Sequence, residues 1–394
     1  MKTIFNIVLA IILGQKISAQ ESIMNQGELI SQNVYHEIPF NNTREEIVQP
    51  VTLRGNSFKF IFDTGAPLVI SKELQTSIKY PILHKVPLKD AHNKSDTFSI
   101  VLVDTIRVGN LLFKNIPAVV IDFKNSPIGC QNIDGIIGSN IARFLIVQFD
   151  LSKNKIIMTD QAKKINTRHK NDAQPIYLDN QSNAFLKVNF TDSFIDTAHF
   201  DSGMGKFYDM NFTKALALIQ DVNLTKSSVF KGFGVSGQGI LGDAMAETVY
   251  LIHADFKLGI IKIEQAQIGT APTVSRIGRE LLNYGTLTID YINSQYYFEK
   301  YPKRLNKPRP NFGFDIITEK NKVTVGVVWE NTRAQKMGLT SGLEILSIND
   351  KSFENKTSCE IEKILLVEFS KKKLEITYLK NGITLKGTLT NIKI

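Results

Sequence analysis

The chain has 394 residues, of which 43% are hydrophobic and 22% charged, and this composition describes an ordinary globular protein with room for two or three domains. Its formal net charge is +9 at pH 7. The basic residues gather at 163–170 and 300–309 and are not interleaved with aromatic residues along one element. We therefore interpret these two stretches as solvated connecting segments and expect no nucleic-acid partner.

Residues 1–19 have the pattern of a secretory signal peptide. A lysine is followed by an apolar run at 4–13, and Ile17-Ser18-Ala19 offers a cleavage site near Ala19. The apolar run is too short to cross a membrane as a helix, and no later run reaches about 20 apolar residues. We expect an exported protein, periplasmic or secreted, without an integral membrane segment in the mature chain.

Residues 20–50 are expected to form an entry segment, and the sequence leaves open whether it is removed as a propeptide. A β-hairpin is predicted next, with strand-like runs at 51–53 and 58–62 on either side of a Gly55-Asn56 turn. The second of these strands delivers the triplet Asp63-Thr64-Gly65 at its end.

The landmarks around this triplet recur later in the sequence. A second triplet, Asp201-Ser202-Gly203, also ends a strand-like run. Well downstream of each triplet, an apolar residue and a glycine recur, as Ile137-Gly138 and Ile277-Gly278. The two glycines lie 75 and 77 residues after the respective aspartates. A strand-turn-strand pattern then closes each half, at 147–157 and 287–297. The matched spacings indicate duplication of one folding unit.

Two aspartates from equivalent units are suited to peptide hydrolysis. Carboxyl groups about 3 Å apart share one proton, because like charges so close cannot both ionise. Asp63 and Asp201 would then supply a base that activates water and an acid that protonates the carbonyl oxygen. The positioning roles fall to Thr64, Gly65, Ser202 and Gly203. The hydroxyl groups fix the two loops, the glycines let them approach closely, and the later Ile-Gly segments pack beneath them.

On these motifs the chain resembles bacterial retropepsin-like and pepsin-like aspartic peptidases that carry both lobes in one chain, over about residues 52–301. The resemblance implies a mostly β, bilobal fold of double-ψ β-barrels, with lobe 1 at 51–160, a linker at 161–174 and lobe 2 at 175–301. It also implies that the two aspartates form the catalytic dyad of an aspartic-type endopeptidase that cleaves polypeptides without a cofactor.

Two residues depart from the pattern of that family. Met204 follows the second triplet, and Arg276 occupies a position where an apolar residue is expected. They leave open an alternative, a catalytically inactive peptide-binding protein on the same scaffold. A further alternative is a homodimer that pairs Asp63 with its copy. We expect a monomer.

Each lobe is expected to carry a hairpin, or flap, that folds over the substrate and excludes water. The first is predicted at 86–100, with Ala91 and His92 near its tip, and the second at 231–244, with Gly234 and Gly237. A G-x-G-x-x-G spacing in the second segment lacks the strand and helix of a dinucleotide site, so no such cofactor is expected. The histidines show no metal-ligand spacing, and no metal site is expected.

A third domain is expected at 311–394, after a linker at 302–310. It resembles bacterial PDZ domains in Phe312-Gly313-Phe314, Met337-Gly338-Leu339, a predicted helix at 358–368 and an Asn-Gly turn between its last two strands. The resemblance implies that backbone N–H groups of Phe312, Gly313 and Phe314 capture peptide C-termini, so that the domain recruits or orients substrate. The alternative is a small domain that docks on the rest of the chain.

The chain has two cysteines, Cys130 and Cys359. They fall in different predicted domains, so we expect two buried thiols and no structural disulfide.

Overall fold

The computed structural model describes residues 23–39, 47–124, 128–165, 172–224, 227–308 and 310–392. The predicted signal peptide at 1–19 lies outside the described residues, as do parts of both predicted linkers. The protein is mostly β, and its strands divide into two halves and a C-terminal unit.

The first half runs from residue 23 to residue 165. Its strands and helices are β1 (Glu28–Leu29), β2 (Tyr35–Pro39), β3 (Val48–Leu53), β4 (Asn56–Phe62), β5 (Val69–Ser71), α1 (Lys72–Ile78), β6 (Ile82–Lys89), β7 (Ser95–Val108), β8 (Leu111–Ile121), β9 (Gly135–Ile137), α2 (Ser139–Ala142), β10 (Ile146–Asp150) and β11 (Lys155–Thr159). β3 and β4 form the predicted hairpin around a tight turn in which Gly55 adopts a φ of +84°.

The second half runs from residue 172 to residue 308. Its elements are β12 (Gln174–Leu178), β13 (Ala184–Asn189), β14 (Ile195–Asp201), β15 (Tyr208–Asn211), α3 (Phe212–Gln220), β16 (Ser228–Gly234), β17 (Gln238–Gly239), β18 (Gly242–Asp243), β19 (Glu247–Leu258), β20 (Ile261–Ala271), β21 (Arg276–Gly278), β22 (Gly285–Asp290) and β23 (Gln295–Lys300). Residues Arg279–Asn283 form a short 3-10 helix.

The strand pairing around the two triplets is the same in both halves. In the first half, β4 runs parallel to β9, β5 runs parallel to β8, and β5 runs antiparallel to β9. In the second half, β14 and β21, β15 and β20, and β15 and β21 repeat these three pairings in the same directions. The spacing repeat in the sequence is therefore also a repeat of topology.

Strands from both halves meet in one sheet behind the triplets. β10 pairs antiparallel with β22, and Gln148 donates from Nε2 to Thr288 Oγ1 at 2.8 Å across this pairing. The expected entry segment takes part in the sheets, because β1 pairs with β8 and β2 pairs with β11. β3 spans the lobe boundary expected at residue 51. A single apolar core cluster includes residues of both halves.

The C-terminal unit, residues 310–392, has its own apolar core. Its elements are β24 (Phe314–Glu319), β25 (Lys322–Trp329), α4 (Arg333–Lys336), β26 (Glu344–Ile348), β27 (Lys351–Ser352), α5 (Ser358–Glu368), β28 (Lys373–Lys380) and β29 (Ile383–Thr390). α5 has the bounds expected for the last helix and begins with a capping box between Thr357 and Glu360. The last hairpin turns at Asn381-Gly382, as the sequence indicates.

The C-terminal unit packs directly on the second half. β25 pairs antiparallel with β16, so that the sheet of this unit continues into the second half. Beside this pairing, Trp329 is 5% exposed and lies in an apolar cluster with Val249, Leu251 and Val327. Lys231 and Glu330 form an ion pair at 3.2 Å next to it.

The expectation of two free thiols is wrong. Cys130 and Cys359 form a disulfide, with their Cα atoms 5.2 Å apart. The expectation treated the predicted domains as separate bodies. In the structure, packing of the C-terminal unit brings the first turn of α5 beside the short 3-10 helix Gly129–Gln131 of the first half. The C-terminal unit is therefore attached to both halves, covalently to the first and by strand pairing to the second.

Replacing both cysteines by serine should lower stability by about 5 kcal/mol in the chain-entropy account, because the bond closes a loop of 229 residues. Trp329 is the single tryptophan of the chain and reports on packing of the C-terminal unit. Urea unfolding followed by its fluorescence should show an earlier midpoint in the Cys130→Ser/Cys359→Ser protein. A reductant should shift the wild-type midpoint and leave the variant unchanged. Equal midpoints for wild type and variant would contradict this expectation.

Candidate active site

The ends of β4 and β14 place Asp63 and Asp201 side by side. The Asp63 N–H donates to the Ile137 carbonyl at 3.0 Å, which fixes the first triplet onto the end of β9. Asp201 is the last residue of β14 and pairs with Gly278 of β21. Beneath both loops lies the ring of Phe149, whose centroid is 5.1 Å from that of Phe200. Rigid, buried strands thus carry both aspartates.

Thr64 and Ser202 join the two loops through four reciprocal hydrogen bonds. The Thr64 N–H donates to Ser202 Oγ at 3.0 Å, and the Ser202 N–H donates to Thr64 Oγ1 at 3.1 Å. Thr64 Oγ1 donates to the Phe200 carbonyl at 2.8 Å, and Ser202 Oγ donates to the Phe62 carbonyl at 3.2 Å. Both hydroxyl residues are at most 1% exposed. Each half therefore supplies the other with the partners that its buried backbone requires.

The glycines of the triplets face the opposite aspartate. A β carbon at Gly65 would lie 2.5 Å from Cγ of Asp201, and one at Gly203 would lie 2.5 Å from Cγ of Asp63. Asp63 Oδ1 accepts hydrogen bonds from the N–H of Gly65 at 2.8 Å and of Gly203 at 3.2 Å. Asp201 Oδ1 accepts from the Met204 N–H at 2.9 Å. Any side chain at either glycine would collide with the facing carboxyl group, so each carboxyl group lies against the triplet of the opposite half.

The later Ile-Gly segments lie under the two triplets. Ile137 and Ile277 are fully buried. A β carbon at Gly138 would lie 2.2 Å from the Ala66 carbonyl oxygen, and one at Gly278 would lie 2.5 Å from the Met204 carbonyl oxygen. Glycine at both positions therefore allows the close backbone contact that supports each aspartate loop.

The tip of the first flap touches the second half. The segment predicted as this flap, residues 86–100, forms the central part of the longer β6–β7 hairpin. Asp90 Oδ2 accepts from the Leu241 N–H at 3.2 Å, and the Ala91 carbonyl accepts from Thr273 Oγ1 at 2.9 Å. His92 lies beside Gly237, at 3.1 Å from the place of a β carbon there. The hairpin therefore bridges from the first half to the second.

Gly234 of the predicted second flap and the predicted carboxylate-binding loop at 312–314 lie away from the two aspartates, in contacts with other parts of the chain. Gly234 packs on the C-terminal unit, since a β carbon there would lie 2.1 Å from the Gly326 carbonyl oxygen. The rings of Phe312 and Phe314 both contact Phe369. Between them, the Gly313 N–H donates to Asn311 Oδ1 at 2.8 Å, so one N–H group of the expected carboxylate-binding loop already has a partner within the chain.

Several charged and polar side chains surround Asp201, and sequence reasoning missed most of them. Nη1 of Arg276 lies 3.7 Å from Asp201 Oδ2, and Nε2 of His199 lies 4.0 Å from the same oxygen. Nη2 of Arg276 lies 3.8 Å from Oδ2 of Asp209, which is also 3.4 Å from Nζ of Lys206. Burial lowers the pKa of the His199 imidazole, so it is neutral near pH 7. Arg276 was visible in the sequence as a departure; the other three carried no signal until the strands were paired.

Among the residues that the structure describes, no group of three His, Cys, Asp or Glu side chains could hold a metal ion. No helix in the described part of the chain is long and apolar enough to cross a membrane.

One family model and several solved structures are similar to parts of this chain. A sequence model of the family "Aspartyl protease" matches residues 49–141, which contain the first triplet and Ile137-Gly138. No curated protein sequence matches this chain. A solved retropepsin-like aspartic protease from Rickettsia conorii is similar at 18% identity and a TM-score of 0.24, covering 34% of this chain and 93% of its own.

Two seed globulins are also similar in structure. Conglutin gamma from lupine has 10% identity and a TM-score of 0.39, over 69% of this chain and 96% of its own. Basic 7S globulin from soybean has 12% identity and a TM-score of 0.38, over 67% of this chain and 94% of its own.

Thr64→Val and Ser202→Ala should each lower the free energy of unfolding by about 1–3 kcal/mol, because each leaves a buried N–H and a buried carbonyl without a partner. The double variant should lose less than the sum, since the two residues belong to one network. Urea unfolding of the four proteins measures this. As a control, Thr76→Val removes an exposed hydroxyl that bonds within α1, and it should change stability by less than about 0.5 kcal/mol. Additive losses would contradict a shared network.

Proposed function

We propose that the protein is an aspartic endopeptidase in which two lobes, the first and second halves, hold the hydrolytic water between Asp63 and Asp201. The observation that carries the proposal is the crossed packing of Gly65 and Gly203 against the opposite carboxyl groups. That packing brings together two carboxyl groups from equivalent loops, as proton sharing requires.

In this proposal one carboxylate accepts a proton from water while the water oxygen attacks the substrate carbonyl carbon. The partner carboxylic acid donates its proton to the carbonyl oxygen, and a tetrahedral intermediate forms. Its collapse returns a proton to the leaving nitrogen and breaks the peptide bond. The acid and base roles belong to the coupled pair rather than to one residue. The hydrogen bonds of Thr64 and Ser202 keep the two loops in register throughout.

Substrate would lie extended between the dyad and the first flap. The contacts of Asp90 and Ala91 with the second half must then open to admit it and re-form over it. A polypeptide chain is the substrate class that such a bridged cleft favours, because an extended backbone passes under a hairpin without needing a deep cavity.

For the C-terminal unit we propose a PDZ-like fold that orients the cleft. The pairing of its strand β25 with β16 stabilises the β16–β19 hairpin of the second half. In addition, the Thr318 carbonyl of β24 accepts a hydrogen bond from Gln238 at 3.0 Å. These contacts favour intramolecular docking over recruitment of peptide C-termini, since one loop N–H and this carbonyl already have partners in the chain.

We further propose that the mature protein is exported and monomeric. The signal-like residues 1–19 and the disulfide between Cys130 and Cys359 both support an oxidising compartment. The proposed dyad takes both of its aspartates from one chain, so a monomer would suffice for catalysis.

The second candidate function is a peptide-binding protein without catalysis. The ion pair between Arg276 and Asp201 favours it, because the guanidinium group lies 3.7 Å from an oxygen of one aspartate of the proposed dyad. Activity of the wild-type protein on unfolded polypeptides decides between the two.

Asp63→Asn and Asp201→Asn should each lower kcat/KM on an unfolded protein substrate by at least about 10²–10⁴-fold, because general acid-base catalysis is lost. Asp104→Asn, at an exposed ion pair with Arg54, is the matched control and should keep full activity. Loss of hydrolysis in only the Asp63 variant would rule out the intramolecular dyad. A wild-type protein that binds peptides without cleaving them would support the second candidate.

A further inference from the structure

The two walls of the cleft can be compared position by position, because the strand registers of the halves correspond. Four positions near the aspartate can be matched in each half. In the first half they lie on β4, β5, β8 and β9, and in the second half they lie on β14, β15, β20 and β21. The equivalent pairs are Ile61 and His199, Val69 and Asp209, Val119 and Gly269, and Ile136 and Arg276.

In the first half all four positions are apolar and buried. They belong to one cluster, against which Val86, Leu88 and Phe98 of the flap hairpin pack. This wall of the cleft is continuous hydrocarbon from the aspartate loop to the flap. An apolar substrate side chain that displaced the flap residues here would meet only hydrocarbon.

In the second half the same four positions are polar or lack a side chain. His199, Asp209 and Arg276 are 5%, 3% and 8% exposed. Both ring nitrogens of His199, Oδ1 of Asp209 and Nε of Arg276 are buried and make no hydrogen bond within the described residues. Gly269 leaves the room that the Asp209 carboxylate occupies, since a β carbon there would lie 2.6 Å from Oδ1. Buried polar atoms without partners mark a place where another molecule can supply them.

This wall carries fixed charges of both signs. Arg276 lies between two carboxylates, at 3.7 Å from Asp201 and 3.8 Å from Asp209. Lys206 adds a second cation, 3.4 Å from Asp209. Because burial lowers the pKa of His199, its ring adds one N–H donor and one acceptor but no charge.

We propose that His199, Asp209 and Arg276 form a pocket for the carboxamide of a Gln or Asn side chain of the substrate, next to the scissile bond. A carboxamide offers an oxygen to the donors Arg276 and His199 and an N–H to an acceptor such as Asp209. A substrate carboxylate would face Asp201 and Asp209, and a substrate cation would face Arg276. An apolar side chain would leave every one of these atoms unpaired, which such sites penalise strongly.

The place of the pocket along the substrate follows from its distance to the dyad. The guanidinium of Arg276 is 3.7 Å from the Asp201 carboxyl, and one residue of extended chain spans about 3.3–3.6 Å. The side chain that enters the pocket therefore belongs to a residue at the cleaved bond or one removed from it. This inference rests on the proposed function.

The first experiment measures cleavage of peptides that differ at the residues flanking the scissile bond. Wild-type protein should have a kcat/KM about tenfold or more higher with Gln or Asn at one flanking position than with Leu, Glu or Lys there. Arg276→Ile with Asp209→Val copies the first half and should reverse the preference to Leu. Arg54→Ile with Asp104→Val removes a surface ion pair instead and should keep the carboxamide preference. Far-UV circular dichroism and thermal unfolding establish that each variant is folded.

The second experiment measures binding without catalysis and keeps all pocket residues. Asp63→Asn protein is titrated calorimetrically with peptides that carry Gln, Leu or Glu at the preferred position, and Gln should bind about tenfold tighter. The pocket proposal is wrong if cleavage or binding prefers apolar side chains at both residues flanking the scissile bond. It is also wrong if neither residue shows any side-chain preference. Gln-selective binding by a wild-type protein that cleaves nothing would overturn the peptidase proposal and support the pocket.

Discussion

The exchange of hydrogen bonds between Thr64 and Ser202 is the interaction on which the rest of the structure depends. Each hydroxyl accepts from the opposite backbone and donates to it, so neither loop has its buried polar groups satisfied alone. This explains why two glycines can be held against two carboxyl groups without a gap. Behind the triplets the halves also meet through the pairing of β10 with β22, so they are joined by hydroxyl groups on one side and by strand pairing on the other.

Duplication does not make the halves equal. The positions that carry the backbone geometry are the same in both, namely the triplet glycines and the Ile-Gly segments. The positions that flank the aspartates differ, since they are apolar in the first half and include His199, Asp209 and Arg276 in the second. Such a difference leaves the framework intact, because the framework is fixed by backbone and hydroxyl contacts that both halves share. In the proposed peptidase, the differing residues would set which chains the cleft accepts.

Many elements of the fold could be predicted because short-range sequence patterns determine them. The β3–β4 hairpin, the flap tip at Ala91 and His92, the bounds of α5 and the Asn381-Gly382 turn all follow from short-range patterns. The disulfide was not predictable, because it depends on how the C-terminal unit packs, and the pairing of β16 with β25 leaves no local mark. His199 and Asp209 were missed for the same reason: they meet only when β14, β15 and β21 are side by side.

The 229-residue separation of Cys130 and Cys359 has a consequence for biogenesis. Synthesis at about 5–20 residues per second puts roughly 10–50 s between the appearance of the two thiols. Throughout that interval Cys130 has no correct partner, and the whole second half is made while it waits. Formation of the bond is therefore a late event, which records that the last unit has reached its place on the first. A cell that oxidises this thiol too early, with a small-molecule disulfide or with another chain, would prevent that final attachment while leaving the halves themselves able to fold.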